Sequence, residues 1–336
     1  MQQIVGALTA CCGTISLKDG ADRCRLTFPE PAAEGSSQYI MRFPSPILGV
    51  LLLTMVVVAY TYAASADAAY QQSVEKWRQA YESRLKSDTG WLTVTGLFWL
   101  HEGEKSPVTD IVLPVEAVPP VAGSFDFHAG KTIVHVNPRV PLLLKGKIVD
   151  GAQLQSDAGD VAPDVLTIGD LTLFVHASGE RYGIRVKDKN SKIRKEFTGT
   201  QWYPIDEAYR ATARYVPYDS PKAAEVPNIL GDTEKVSFAG YVTFSLRGQE
   251  YRLDAEVVKS GGLFIVFRDL TSSKETYPAA RFLDTEPPKD GSVLLDFNQA
   301  RNPPCAYNPY TTCPLPSPGN RLRVEIPAGE KIYKKH

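Results

Sequence analysis

The spacing of hydrophobic residues changes near Gly90, from a helical period to a strand period. Before this glycine, apolar residues recur at intervals of four, three, four and four, and polar residues fill the positions between them. Residues at these intervals share one face of a helix, so the pattern predicts an amphipathic helix over 68–86 that packs on the domain. The apolar positions are Tyr70, Val74, Trp77, Tyr81 and Leu85.

Beyond Trp91, short runs rich in β-branched and aromatic residues are separated by Gly, Pro, Asp and Asn. No long helical pattern intervenes, so we predict a mainly β fold, an antiparallel barrel or sandwich-like domain with an N-terminal amphipathic helix. Arg247-Gly248-Gln249 lies between two of these runs and indicates a hairpin. The predicted strands are Leu97–Leu100, Thr132–Val136, Leu171–Ala177, Tyr182–Val186, Tyr209–Val216, Tyr241–Leu246, Tyr251–Val258, Leu263–Phe267 and Val293–Phe297.

The N-terminal part of the chain contains the pattern of an export signal. Arg42 follows an internal methionine, residues 47–64 are almost wholly apolar, and Ala64-Ser65-Ala66 provides the small residues that a signal peptidase reads. The alternative is an uncleaved membrane anchor, because an apolar run of this length can just span a bilayer. Both interpretations place the protein outside the cytoplasm, in the periplasm, in the medium or on the outer side of a membrane.

We therefore expect three parts. Residues 1–40 are a non-structural upstream extension, residues 41–66 are the signal peptide or anchor, and residues 67–336 form a single β-rich domain in which Pro217–Pro227 is a loop. The net charge of −1 and the absence of a basic block give no electrostatic reason to expect nucleic acid as a partner.

One proline-rich stretch near the C-terminus concentrates polar side chains. Asp296, Asn298, Asn302 and Asn320 lie in it, among prolines that exclude helix and interior strand because proline fixes φ and lacks an N–H. These Asp and Asn side chains can bind a ligand, or they can satisfy backbone groups that the prolines leave unpaired.

This stretch carries a family resemblance. Its sequence Asp-Phe-Asn at 296–298, Asn-Pro-Pro-Cys-Ala at 302–306 and Thr-Cys-Pro-Leu-Pro at 312–316 resembles the C-terminal hallmark of the domain-of-unknown-function family DUF1684. Further similar segments extend the resemblance over about 77–333, among them Tyr182–Asp188 and Asn228–Gly231. Arg301 departs from the pattern, since an aromatic residue is commoner there. The resemblance implies no activity.

Two cysteines, Cys305 and Cys313, lie in the same stretch. In an exported protein a disulfide between them is the first interpretation. The alternative makes Cys305 a nucleophile, which needs a base to form the thiolate. No histidine lies in the stretch, and two cysteines without further ligands are not a zinc motif, so we expect no metal.

Arg185 and Lys187 form a second polar group. On a strand they share one face with Arg181, and converging cations suit a carboxylate or phosphate. We predict that they project toward the Asp296–Asn320 loop and that the pocket lies between the two segments. In the alternative, the cations are solvated, or Arg185 pairs with Asp296 and only fixes the loop.

Three functions are compatible with these patterns. The first is an exported β-domain that binds a small polar or anionic ligand under the proline-rich loop. The second is an extracytoplasmic hydrolase that uses carboxylates or Cys305, and the third is an envelope interaction protein without a pocket. Motifs for phosphate-binding loops, serine hydrolases and zinc proteases are absent from the sequence, and we expect no cofactor.

Overall fold

A computed structural model describes residues 24–25, 40–41, 67–107, 122–159 and 161–333. The chain divides into two compact units, residues 1–72 and residues 73–336. The predicted upstream extension and the signal or anchor segment at 41–66 lie almost wholly outside the described residues. Within the described ranges, no helix is long and apolar enough to cross a membrane.

The mainly antiparallel β fold is confirmed, with helical residues 67–85 on the N-terminal side of the β region. All described strand pairs are antiparallel. A short helix spans Lys192–Lys195. The strands are β1 (Cys24–Arg25), β2 (Ile40–Met41), β3 (Val94–Trp99), β4 (Lys105–Pro107), β5 (Gly123–His128), β6 (Lys131–Val136), β7 (Leu143–Leu144), β8 (Lys147–Ile148), β9 (Gly151–Leu154), β10 (Val165–Ile168), β11 (Leu171–Ser178), β12 (Arg181–Asp188), β13 (Arg210–Pro227), β14 (Thr233–Leu246), β15 (Gln249–Val257), β16 (Leu263–Phe267), β17 (Arg281–Asp284) and β18 (Ser292–Asp296).

The first six-stranded sheet has the order β3-β12-β11-β10-β7-β8. One of its faces packs with the four-stranded sheet β4-β5-β6-β9 in a single core, where Phe125 and Val134 meet Leu166, Leu173 and Ile184. Its opposite face is polar on β11 and β12. This difference between the faces follows from the strand period, because successive side chains point to opposite sides of a sheet.

The second six-stranded sheet, β17-β16-β15-β14-β13-β18, surrounds its own core around Phe244, Leu253 and Phe297. The predicted hairpin is present: Arg247 and Gly248 link β14 to β15 with φ of 53° and 77°, the left-handed conformation of a two-residue turn. The prediction of a loop at Pro217–Pro227 is wrong, because these residues form the C-terminal part of β13. The strand accommodates its prolines by a register shift between Pro217 and Lys222.

The N-terminal helix buries the predicted stripe. Val74, Tyr81 and Leu85 are buried, and Trp77 is half-buried. Tyr81 and Leu85 join Leu92 and Tyr307 in a small aromatic-rich core, so the helix brings its C-terminal end to the proline-rich loop. Asp88-Thr89-Gly90 then ends the helix and positions Trp91 beside that loop.

Candidate functional site

The polar face of the first sheet carries the predicted cations. Arg181, Arg185 and Lys187 lie at alternate positions of β12, and Arg185 pairs in register with Phe174 of β11. His176 lies on the same face, opposite Gly183. A Cβ at Gly183 would approach the Phe98 carbonyl oxygen within 2.9 Å, so glycine is required for close strand packing there.

Arg185 is a buried cation, only 3% exposed. Its Nη2 donates to Thr312 Oγ1 over 3.4 Å, and its Nε has no hydrogen-bond partner. Burial lowers the pKa of Arg185 to about 10, against the opposing charge of Asp157. Arg185 therefore reaches the C-terminal loop. Its hydrogen bond to Thr312 crosses from β12 to the loop, between the two segments that were predicted to enclose a pocket.

Lys187 lies beside Trp91. Its Nζ donates to the Thr89 carbonyl oxygen over 2.9 Å and lies 5.7 Å from the centre of the Trp91 ring. Burial, followed by the charge of Arg185, lowers the pKa of Lys187. The guanidinium of Arg185 lies 5.8 Å from the same ring. Trp91 is thus a common neighbour of both cations, and 39% of its surface is exposed.

A histidine connects the sheet to the loop. His176 Nδ1 lies 2.7 Å from Asp157 Oδ2, and its Nε2 lies 2.8 Å from Thr312 Oγ1. Asp157 Oδ1 also accepts the Ala177 N–H over 2.8 Å. Burial raises the pKa of Asp157, but the hydrogen bond and charge of His176 outweigh it and the pKa is lowered. Asp157 is therefore ionised at neutral pH.

Three of the predicted ligand-binding side chains form hydrogen bonds with backbone groups. Asn298 Oδ1 accepts the Asp206 N–H at 3.0 Å and its Nδ2 donates to the Asp206 carbonyl oxygen at 2.9 Å. Asn320 makes the corresponding bonds to Asp254, at 2.8 and 2.9 Å. Asp296 caps the short turn that follows it by accepting the Asn298 N–H at 3.1 Å. These bonds correspond to the second of the two uses that the sequence allows, and ligand binding by the three side chains stays a prediction.

Asn302 belongs to a buried acidic network. Its N–H donates to Glu330 Oε2 over 2.8 Å, and the Tyr307 hydroxyl donates to Glu330 Oε1. The Tyr81 hydroxyl lies 3.2 Å from that of Tyr307. Burial raises the pKa of Glu330 to about 7, although its hydrogen bonds oppose this shift. Burial and the nearby Glu330 raise the pKa of Tyr81 and Tyr307.

In front of this network lies a cleft of about 470 Å³. The guanidiniums of Arg84 and Arg301 are each 5.9 Å from the centre of the Tyr81 ring. Arg301 donates to Asp284 Oδ2 through Nε and Nη2, at 3.2 and 2.6 Å. No carboxylate in the described part of the chain forms an ion pair with Arg84. The lining includes Tyr81, Arg84, Trp91, Arg301, Asn302 and Pro304.

The structure thus divides the predicted site. Asn302 lines the cleft, and Lys187 reaches the Thr89 and Trp91 edge of it. Arg185 contacts Thr312, whereas Asn298 and Asn320 bind backbone elsewhere. Sequence reasoning missed Arg84 and Trp91, and it missed the Asp157–His176–Thr312 chain. Spacing in the sequence carries no signal for either, because their members come from distant segments.

The two cysteines are neighbours. The Cys305 N–H donates to Cys313 Sγ over 3.3 Å, and both side chains are free thiols in this structure. The hydrogen bond with Cys313 and burial raise the pKa of Cys305, which disfavours the thiolate that a nucleophile needs. The disulfide itself stays a prediction. Within the described ranges, no group of three His, Cys, Asp or Glu side chains could hold a metal ion.

Residues 195–331, the C-terminal region, match the family described as a protein of unknown function, DUF1684, which confirms the family resemblance over this range. The solution NMR structure of an uncharacterized protein from Haloarcula marismortui is similar, with 31% identity over 43% of this chain and 81% of that chain and a TM-score of 0.36. No curated protein matches the chain. Arg301, Asn302 and Thr312 lie inside the matched range, whereas Arg84, Trp91 and Arg185 precede it.

Proposed function

We propose that this protein is an exported β-domain that binds a small molecule bearing a carboxylate or phosphate group in the cleft beside Trp91. The observation that carries the proposal is the convergence of two guanidiniums, those of Arg84 and Arg301, on one ring in a cleft of about 470 Å³. Small-molecule sites are typically clefts of about 300–1,000 Å³ with a few convergent polar groups.

The charges favour an anion. Arg301 forms an ion pair with Asp284. Arg84 has no carboxylate partner among the described residues. Lys187 adds positive charge beside Trp91. Its ammonium donates to the carbonyl oxygen of Thr89, which is a neutral group. An oxyanion in the cleft would accept hydrogen bonds from guanidinium groups, which is a strong, geometrically selective interaction.

The shape favours a ligand with a flat apolar part. Trp91 presents an exposed ring at the edge of the cleft, and Pro304 and Tyr81 provide further apolar surface. Aromatic rings stack in offset or edge-to-face arrangements, so an aromatic ligand body gains contact area as well as charge pairing. Benzoate and phenyl phosphate are therefore suitable probes, since they share a ring and differ only in the anionic group.

Calorimetric titration of the full-length protein with each probe tests the proposal. We expect saturable binding that weakens as salt is raised. Arg84→Ala should weaken it by about tenfold or more, since hydrogen bonds to charged groups contribute about 1.5–3 kcal/mol. Arg139→Ala removes an exposed arginine that does not line the cleft and is the matched control. Unchanged affinity in Arg84→Ala, or no binding of either probe, would contradict the proposal.

Export is supported by the sequence alone, through Arg42, the apolar residues 47–64 and Ala64-Ser65-Ala66. N-terminal sequencing of the protein from its native host should find a chain that begins at Asp67. A cytoplasmic protein that begins at Met1 or Met41 would refute this part of the proposal. A membrane-bound protein that retains residues 47–64 would support the anchor instead.

A further inference from the structure

His176 joins Asp157 to the hydroxyl of Thr312. In the neutral imidazole tautomer that carries its proton on Nδ1, this N–H donates to Asp157 Oδ2 over 2.7 Å. The lone pair of Nε2 then faces Thr312 Oγ1 at 2.8 Å, where it can accept the hydroxyl proton. This is the hydrogen-bond order of a carboxylate, an imidazole base and a hydroxyl nucleophile.

The oxygen of the same hydroxyl faces a buried cation. Arg185 Nη2 lies 3.4 Å from Thr312 Oγ1, and Arg185 is only 3% exposed. Its Nε is a buried donor without a hydrogen-bond partner. A guanidinium in this position favours the alkoxide over the hydroxyl and has a donor left for a second oxygen atom.

The loop that carries Thr312 is also held by backbone hydrogen bonds. The Ile229 N–H donates to the Cys313 carbonyl oxygen and the Leu315 N–H donates to the Pro227 carbonyl oxygen, each over 2.9 Å. These backbone bonds fix the residues that follow Thr312 on the β13 side. The buried polar chain Asp157–His176–Thr312 is therefore additional to the fixation of the loop.

We propose that Thr312 is the nucleophile of an acyl-transfer site for small carboxylic esters. Thr312 Oγ1 attacks the ester carbonyl carbon while its proton passes to His176 Nε2, and the resulting oxyanion is stabilised by Arg185. The carbon–oxygen bond to the alcohol breaks, the alcohol oxygen takes the proton from His176, and an acyl-threonine remains. Water, deprotonated by His176, then releases the acid and restores Thr312.

In this reaction Thr312, His176 and Arg185 are catalytic residues, and Asp157 is a positioning residue that holds the imidazole tautomer. Thr312 is half-buried, so part of this residue is exposed to solvent. The inference is independent of anion binding in the cleft, because it uses none of Arg84, Arg301 and Asn302. Failure of either proposal leaves the other testable.

The test uses the full-length protein, p-nitrophenyl acetate and a fluorophosphonate that labels activated hydroxyls. We expect ester turnover and a phosphonate adduct located on Thr312 by mass spectrometry. Thr312→Val should abolish both and Thr312→Ser should retain both. His176→Gln should lower turnover by about 100-fold or more, the typical contribution of a general base.

His135→Gln is the matched control, because His135 pairs with Asp126 at 3.1 Å on the exposed side of another sheet. It should leave turnover and labelling unchanged, and melting temperatures verify that each variant is folded. Asp157→Asn should lower turnover and alter its pH profile, which a merely structural role would not do. No adduct in the wild-type protein, or an equal adduct in folded Thr312→Val, would overturn the proposal.

Discussion

Arg281 Nη1 lies 2.5 Å from Asp269 Oδ2, and the exposed fractions of the two side chains are 1% and 0%. The guanidinium also donates to the carbonyl oxygens of Ile326, at 3.0 Å, and Ala328. It therefore joins β17 to the C-terminal segment that supplies Glu330. Burial lowers the pKa of Arg281, and the charge of Asp269 opposes this shift.

Removing one partner of this pair should be far more costly than removing a surface charge. Asp269→Ala leaves the Arg281 cation buried without its counter-ion, and we expect the free energy of unfolding to fall by about 3–5 kcal/mol. Glu325→Ala breaks the exposed pair with Lys274 and should change it by less than about 1 kcal/mol. Urea denaturation measures both. Equal effects of the two substitutions would contradict the burial argument.

Gly329 should tolerate no side chain. Its φ is 81°, and an added Cβ would lie 2.4 Å from the Ala300 carbonyl oxygen and 2.7 Å from that of Phe297. Gly329→Ala combines a left-handed conformation with backbone overlap, so we expect it to destabilise the fold by more than about 1 kcal/mol. Gly169 also has a positive φ, but an added Cβ would meet open space there. A smaller loss of stability in Gly169→Ala would therefore show how much of the Gly329→Ala effect comes from the backbone overlap.

Glu330 should make stability fall as the pH rises toward neutrality. Its pKa in the folded protein is about 7, above the ordinary value of 4.5, so folding favours the protonated form. The stabilisation is complete below about pH 4.5 and is lost as the pH rises through about 7. Glu330→Gln cannot ionise, and its stability relative to the wild type should rise with pH over this window by on the order of 1–3 kcal/mol.

Urea denaturation of both proteins across this pH range measures the difference. A pH-independent difference between wild type and Glu330→Gln would show that Glu330 has the same pKa in the folded and unfolded states. Asp157 has the opposite sign, since its pKa is lowered, and its contribution is lost as the pH falls.

Cys305 and Cys313 should form a disulfide under oxidising conditions. Their contact through the Cys305 N–H and Cys313 Sγ at 3.3 Å supports this expectation. Thiol titration of unfolded, oxidised protein should detect neither cysteine, and reduction should lower stability by about 2–3 kcal/mol on the chain-entropy model. Cys305→Ser should lower stability without loss of ester turnover. Peptide mapping that finds reactive thiols at Cys305 and Cys313 after oxidation would refute the bridge.

Local patterns were sufficient for much of the fold. Each predicted strand overlaps an observed strand, because a period of two in a β-rich run survives most tertiary contexts. Val257 shows the limit, since it continues the alternation of Leu253 and Ala255 but is 48% exposed at the end of β15. The prediction of a loop at Pro217–Pro227 is wrong because prolines are typical of loops. They also occur in strands at a bulge, or where one side of the strand has no neighbour, and the sequence does not distinguish these cases.

The site could be predicted only in part. Alternation on β12 correctly placed Arg185 and Lys187 on one face. Their partners could not be predicted, because they are distant in the sequence. Thr312 is 127 residues from Arg185, and Thr89 is 98 residues from Lys187. The number of Asn and Asp side chains in the loop suggested a ligand, yet Asn298 and Asn320 satisfy backbone groups, a use that composition cannot distinguish from binding.

The indole N–H signals in NMR spectra test anion binding in the cleft most directly. The chain has four tryptophans, and the substitution Trp91→Phe assigns the signal of Trp91. On titration with phenyl phosphate, we predict that the Trp91 signal shifts and saturates, while those of Trp99, stacked on Arg181, and Trp202, bonded to Thr200, stay in place. The Trp91 shift should disappear in Arg84→Ala and persist in Arg139→Ala. A Trp91 signal that does not move, or one that shifts equally in Arg84→Ala, would contradict anion binding beside Arg84.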